Sequence, residues 1–561
     1  MTRIRISMVV LLLAVIPSVA SAGQGEDLIS LVEAYYDAHL ELNPIEATYI
    51  GDHRFDDRFV VDIGPEYLDA TFALETDYLA LVEAIDPAEL NTQDRLTREM
   101  FLRARRQTLD GWDFPGHLLP VNQFHGMPQL LAALGSGESI QPFETPEDYD
   151  AWVSRARGFA PWVDQAIANL RQGMADGVVL PKELVKRTLP QLKNQVVKKP
   201  EHSAFWFPVA AFPDSLPDED YLRVEAAYRE LIMNVLVPAY DRLYRFLKDE
   251  YEGRETFGLG DLPGGREWYA YLVRTQTGSD LTPEEIHELG KREVARLDTR
   301  IAGLEKVAED KDKGYPNTKT MLRGFEGFRI QVKPNLVKLF RRIPRTDFEI
   351  RFTPRDQQET SAGAYYVAGS PDGTRPGVFF LNARIAKRYT QGQAEALYLH
   401  EAVPGHHFQI SLARELENLP RFRRFGQHTA YAEGWGLYAE SLGKPLGLYR
   451  NPEQEASALR SERFRAVRLV VDTGIHARGW SRDKARDWVD QNEADRYAAM
   501  PGQALAYKMG QMKILELRAM AEKELGGKFR MKDFHQVILG SGEMPLDLLE
   551  KQVRAWVESS R

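Results

Sequence analysis

His400 and Glu401 stand in the run Leu-Tyr-Leu-His-Glu-Ala-Val-Pro-Gly-His-His-Phe-Gln, residues 397–409, and they are the strongest chemical signal in the chain. A His-Glu pair followed by a second histidine four residues on puts two imidazoles on one helix face, where they can hold a zinc ion. The glutamate then activates a bound water. Here that fourth position is Pro404, and His406 and His407 come later. On an ideal helix His406 lies about 240° around from His400, on the wrong face, and His407 returns to that face about 10 Å further along. Pro404 removes an intrahelical hydrogen bond and Gly405 accepts unusual backbone angles. The pair therefore predicts a local bulge in the helix that returns His406 to the vacant ligand position.

A third ligand is expected from a following helix. The run His-Thr-Ala-Tyr-Ala-Glu-Gly-Trp-Gly-Leu-Tyr-Ala-Glu from residue 428 reads as helical and carries Glu433, 27 residues after His406. Glu440 follows one heptad later on the same face, suited to support a ligand from behind, and His428 is a weaker rival for the metal. Glu401 is the candidate general base. Arg496, Tyr497 and Lys508 suit a substrate carboxylate. The run Gly-Ala-Tyr-Tyr-Val-Ala-Gly (363–369) suits an extended peptide along a sheet edge, with Tyr365 and Tyr366 facing opposite sides.

The elements that must position these residues are mostly helices. Apolar residues recur at helical spacing in the N-terminal half, and Thr282-Pro283-Glu284-Glu285 reads as a helix start: cap, first-turn proline, acids at the positive dipole end. The segments Phe348–Pro354 and 362–383 alternate instead, and Pro371-Asp372-Gly373 between two aromatic runs predicts a β-hairpin. The basic run Arg-Phe-Arg-Arg-Phe at 421–425 is expected on the surface.

Arg3 and Arg5 precede the apolar run from Met8 to Ile16, and Ala20-Ser21-Ala22 offers a cleavage site. Residues 1–22 are thus expected to be a signal peptide that directs a periplasmic or secreted protein. No cysteine offers a lipid attachment site, and with no disulfides the fold must rest on core burial. Removing the leader leaves 70 basic against 82 acidic residues, a charge of −12 that disfavours nucleic acid or an anionic membrane as partner. No repeat or linker divides residues 23–561. They are expected to form one unit, with a mainly helical part at 23–270 and the part bearing the site at 271–561.

His-Glu-Ala-Val-Pro-Gly-His at 400–406 and Glu-Gly-Trp at 433–435 resemble the bacterial family catalogued as domain of unknown function 885. Residues 40–57, 472–481, 493–510 and 534–553 are similar to it too. The resemblance selects His406 over its rival His407 as the second ligand, giving His400, His406 and Glu433 as a zinc set, with His407 the alternative to His406. It implies a mainly α fold similar to the helical gluzincin peptidases such as angiotensin-converting enzyme and the thimet-type oligopeptidases, with a small antiparallel sheet beside the active-site helix and a deep cleft. It also implies that His476 and Tyr507 serve as oxyanion donors. The expected function is an exported zinc metallopeptidase acting on peptides. The alternatives are a zinc hydrolase of an ester, lactone or other amide, and a non-catalytic peptide- or metal-binding protein.

Overall fold

Helix dominates the computed structural model, which describes residues 23–561 apart from 125, 214–216, 309–311, 354–357, 359–362, 371–372 and 374. The expected leader at 1–22 and the Pro371-Asp372 turn lie outside the described residues. Most helices before residue 250 bury their apolar faces in two cores. One is built on Leu28, Val32, Tyr35 and Phe101, the other on Trp152, Phe159, Trp162 and Tyr240. Among the described residues, no helix is long and apolar enough to cross a membrane.

Helix α1 (Pro283–Glu305) starts where the sequence places it. The Thr282 hydroxyl accepts from the Glu285 N–H while the Glu285 carboxylate accepts from the Thr282 N–H. A three-stranded sheet follows: β1 (Phe348–Phe352), β2 (Ala364–Val367) and β3 (Gly377–Leu381). The expected hairpin is present, with β2 antiparallel to β3 and Tyr366 opposite Phe379. β1 however joins the far side of β3 in parallel, with Ile350 opposite Phe379. The sheet is therefore mixed rather than wholly antiparallel. Alternation identifies a strand, whereas the order of its neighbours is settled by what packs on the faces.

The remaining helices assemble the site. They are α2 (Gln391–Glu401), α3 (His406–Arg414), α4 (Thr429–Glu440), α5 (Pro452–His476), α6 (Gln491–Ala499) and α7 (Ala506–Leu525). α2 packs against both α4 and α5, α1 lies along α5, and α4 lies along α7. α4 and α7 touch backbone to backbone: a Cβ at Gly510 would stand 1.8 Å from the Ala430 carbonyl oxygen, so no larger residue fits.

The basic run at 421–425 corrects the surface expectation. Arg423 is buried, donating to the Thr97 hydroxyl at 3.0 Å and the Ser541 carbonyl at 2.7 Å. Arg421 pairs with Glu33 and Asp37 of the first helix. These arginines tie the N-terminal helices to the half that carries the site, a long-range role that local sequence does not reveal.

Candidate metal centre

α2 ends at Glu401 and α3 begins at His406. Between them Ala402 takes φ −104°, ψ −99°, Val403–Pro404 is a cis peptide, and Gly405 takes φ −77°, ψ −132°. The expected bulge in one continuous helix is thus a break between two helices. Proline cannot donate to the helical ladder, and here the chain leaves the helix instead of widening it. The Trp435 indole N–H donates to the Pro404 carbonyl at 2.7 Å and pins the turn. A Cβ at Gly405 would lie 1.8 Å from the His400 carbonyl oxygen, so this close return of the chain requires glycine.

The break turns His406 back toward His400. Their rings meet edge to face with centroids 4.7 Å apart. Glu433 Oε2 on α4 lies 3.4 Å from His400 Nε2 and 3.3 Å from His406 Nε2. One ligand atom from each of these residues falls within 4.8 Å of the others. Glu433 Oε2 is buried without a well-formed hydrogen bond and points between the two imidazole nitrogens. This donor set fits a divalent metal of the zinc type: two nitrogens and one carboxylate oxygen, the three-ligand set of zinc centres that keep a fourth position for water.

The electrostatics agree. Burial acts to raise the Glu433 carboxyl, but the His406 and His400 imidazoles outweigh it and hold the group well below the usual carboxylate range. Burial acts to lower His400, and the Glu433 and Glu440 carboxylates overcome that, pushing it up to about 10. Two carboxylates around buried imidazoles thus demand a positive charge, which a proton or a metal ion can supply.

Glu440 Oε1 lies 2.9 Å from His400 Nδ1, which fixes the ring with Nε2 toward Glu433. The ring fits because α4 has Gly436 beneath it, where a Cβ would come within 2.8 Å. Glu401 is buried, and its carboxylate has no hydrogen-bonding partner among the described residues. Tyr507, half-buried at the start of α7, stacks on the His400 ring at 6.0 Å. Its hydroxyl accepts from Arg496 Nη2 at 3.4 Å, which leaves its own proton to donate.

Other expected site residues lie elsewhere or are already engaged. His407 faces away from the metal ligands. Its Nδ1 meets the Tyr366 hydroxyl at 2.9 Å, its ring packs on Phe348, and burial pulls its pKa down to about 4. Tyr366 is thereby committed to holding β2 against α3, so its hydroxyl is not free for substrate. Tyr365 stacks on Phe380 of β3. His428 contributes its backbone N–H to Glu543 and no metal contact.

His476 cannot be the oxyanion donor that the family resemblance implied. Its Nδ1 accepts from the Leu259 N–H at 2.9 Å, and its Nε2 donates to the Tyr497 carbonyl at 3.0 Å. Both nitrogens are spent on backbone. Lys508 is fully buried, with its ammonium on Glu462, Gln511 and Glu293 at 2.6, 2.7 and 3.2 Å. It binds α7 to α1 and α5, and no donor is left for a ligand. Arg496 does reach the site, through Tyr507.

Two residues that sequence reasoning missed are Arg465 and Arg468 on α5. Arg468 lies over the Tyr507 ring at 4.5 Å, and Arg465 Nη2 is 4.0 Å from Glu440 Oε1. The signal was present: Arg468 interrupts the run Ala466-Val467 and Leu469-Val470-Val471, where a charge must be buried.

The family model DUF885, described as bacterial protein of unknown function, matches residues 44–553. A solved structure from Colwellia psychrerythraea, described as a candidate lipoprotein, is 25% identical. It covers 96% of this chain and 100% of its own, with a TM-score of 0.88. A second, from Shewanella oneidensis and described as a candidate lipoprotein of unknown function, is 16% identical over 95% of this chain and 99% of its own, with a TM-score of 0.68. A candidate oligoendopeptidase F from Bacillus anthracis is 11% identical over 88% of this chain and 96% of its own. Its TM-score of 0.26 is too low for fold or chemistry to be carried across. No curated protein matches.

Proposed function

We propose that this chain, which belongs to the DUF885 family of bacterial proteins, is a zinc-dependent hydrolase that cleaves peptides. One observation carries the reading: the ligand atoms of His400, His406 and Glu433 converge within 4.8 Å, with the buried Glu433 Oε2 lying between the two imidazole nitrogens and making no hydrogen bond. Zinc, when bound there, supplies Lewis acidity for a carbonyl and a water acidic enough to lose its proton near neutral pH. Glu401, next in sequence to a ligand and unpaired, accepts that proton and returns it to the leaving group. Tyr507 donates its hydroxyl hydrogen bond to the developing oxyanion, and Arg496 orients that hydroxyl. A mere metal store has no use for an unpaired carboxylate beside its ligands.

The peptide reading is further supported by β2, an edge strand of the sheet that can pair with an extended backbone. Residues 1–22 serve as a cleaved leader to the periplasm or beyond, and nucleic acid is not a partner. The test is elemental analysis of the purified protein together with a peptide-library digest read by mass spectrometry. About one zinc per chain is expected. It should be lost on substituting His400, His406 or Glu433 by Ala and kept in His407→Ala. A wild-type protein that binds no metal overturns the reading. Cleavage of esters or lactones with no peptide cleaved replaces the substrate class while leaving the centre intact.

A further inference from the structure

Beside the metal ligands the structure holds an excess of buried positive charge. Arg468 on α5 is 4% exposed, and its Nε and Nη1 have no hydrogen-bond partner. Its nearest carboxylate is Glu493 on α6, with Nη2 to Oε2 at 3.6 Å, too long for a hydrogen bond. Arg496 reaches the same Glu493 only at 3.9 Å, spends Nη2 on Gln503 and Tyr507, and leaves Nε unpaired. Arg465 completes the group, also with Nε unpaired. Its closest carboxylate is Glu440 at 4.0 Å, which already serves His400. The Tyr497 hydroxyl lies in this cluster beside Glu493 and Arg468, buried and without a well-formed hydrogen bond.

Three guanidinium groups thus face two carboxylates, Glu493 and Glu440, and Glu440 also serves His400. Burial acts to raise Glu493, yet Arg468 and Arg496 hold its carboxyl below the usual range, so it stays charged and still leaves a positive excess. A neighbouring buried cation is held differently. Lys508, on the same helix as Tyr507, is saturated by two glutamates and a glutamine. Buried charged donors left unpaired are costly, and where they face a site they mark the place of an anionic ligand. Tyr507 fixes that place, lying under the Arg468 guanidinium and stacked on His400. The planar forks of arginine match the two oxygens of a carboxylate.

We propose that Arg468 and Arg496, with Arg465 beside them, form a subsite for a carboxylate of the substrate next to the metal centre. Calling the ligand a substrate rests on the hydrolase reading above, whereas the subsite itself does not. The carboxylate is either the C-terminus of a short peptide or an acidic side chain.

Calorimetry in the Glu401→Gln background, where bound peptide should survive, separates these cases. The probes are N-acetyl tetra-alanine as free acid, the same peptide as C-terminal amide, and amides carrying one Glu or one Gln. The free acid should bind at least 10-fold tighter than its amide. A Glu-containing amide that recovers this affinity while the Gln amide does not would assign the carboxylate to a side chain. Arg468→Gln should abolish the preference. Because Arg468 is buried, Arg496→Gln, at a partly exposed position, is the parallel variant and should reduce it several-fold. Equal binding of acid and amides, no binding of any probe at millimolar concentration, or a preference that survives both substitutions overturns the subsite. Acid-selective binding by a wild-type protein that hydrolyses nothing keeps the subsite and sinks the hydrolase reading.

Discussion

His400 and His476 invite direct comparison. Each is buried, each lies in the last turn of a helix, and each comes from a segment that resembles the same family. His400 faces two carboxylates, and its pKa is pushed up to about 10. His476 faces a backbone N–H and a backbone carbonyl, and burial pulls its pKa down to about 3. The first environment draws in a cation, and the second keeps a neutral ring as a strut between chain segments. Their carboxylates divide likewise. Glu433 is unsatisfied and flanked by imidazoles, whereas Asp472 accepts from the Tyr269 hydroxyl and the Gly502 N–H, and burial raises it to about 7. What a histidine does is decided by the partners of its two nitrogens.

The largest expected effect lies on the metal side. Glu401→Gln keeps the shape and removes the base, so turnover should fall by about 10² to 10⁴ while zinc content stays at the wild-type level. Steady-state kinetics with metal analysis checks this. Unchanged turnover would strip Glu401 of its role as the base.

A smaller effect is expected one layer out. Glu440→Gln weakens the grip on His400 Nδ1 and should lower metal affinity about 10- to 100-fold, read by competition with a chelator. Affinity indistinguishable from wild type would mean that the Glu440 contact merely packs α2 against α4.

On the strut side the effect should be on stability alone. His476→Ala leaves the Leu259 N–H and the Tyr497 carbonyl unpaired, costing about 1–3 kcal/mol for each buried group in a denaturant titration. The folded variant should retain its zinc. Loss of metal at unchanged stability would place His476 in the centre after all.

The smallest signal is pH dependence. His476 and His535 both have folded pKa values pulled down to about 3 by burial, against about 6.5 when unfolded. The stability they contribute is therefore complete above about pH 6.5 and is lost as pH falls toward 3. The melting temperature should decline across that window, and less steeply in His476→Ala. An identical slope in the two proteins would show that the ring is not held neutral.

Much of this was legible in the residues. The Thr282 cap, the β2–β3 hairpin and the helix bearing Glu433 follow from local chemistry, which needs only neighbouring residues to act. The pairing of His400 with His406 was legible as a need: Pro404-Gly405 had to change the path of the chain, although how it did so, by ending one helix and starting another, was not. The rest depended on contacts between distant segments. A single chain reading cannot tell whether Lys508 or Arg468 has its charge satisfied, because Glu293, Glu462 and Glu493 arrive from other helices. Nor can it tell that His476 is bound on both sides by backbone from residues 259 and 497. The sequence by itself determined which side chains could bind a metal and where helices and strands begin. Tertiary structure decided which of them remained unsatisfied, because a hydrogen bond depends on what lies within about 3 Å and not on separation along the chain.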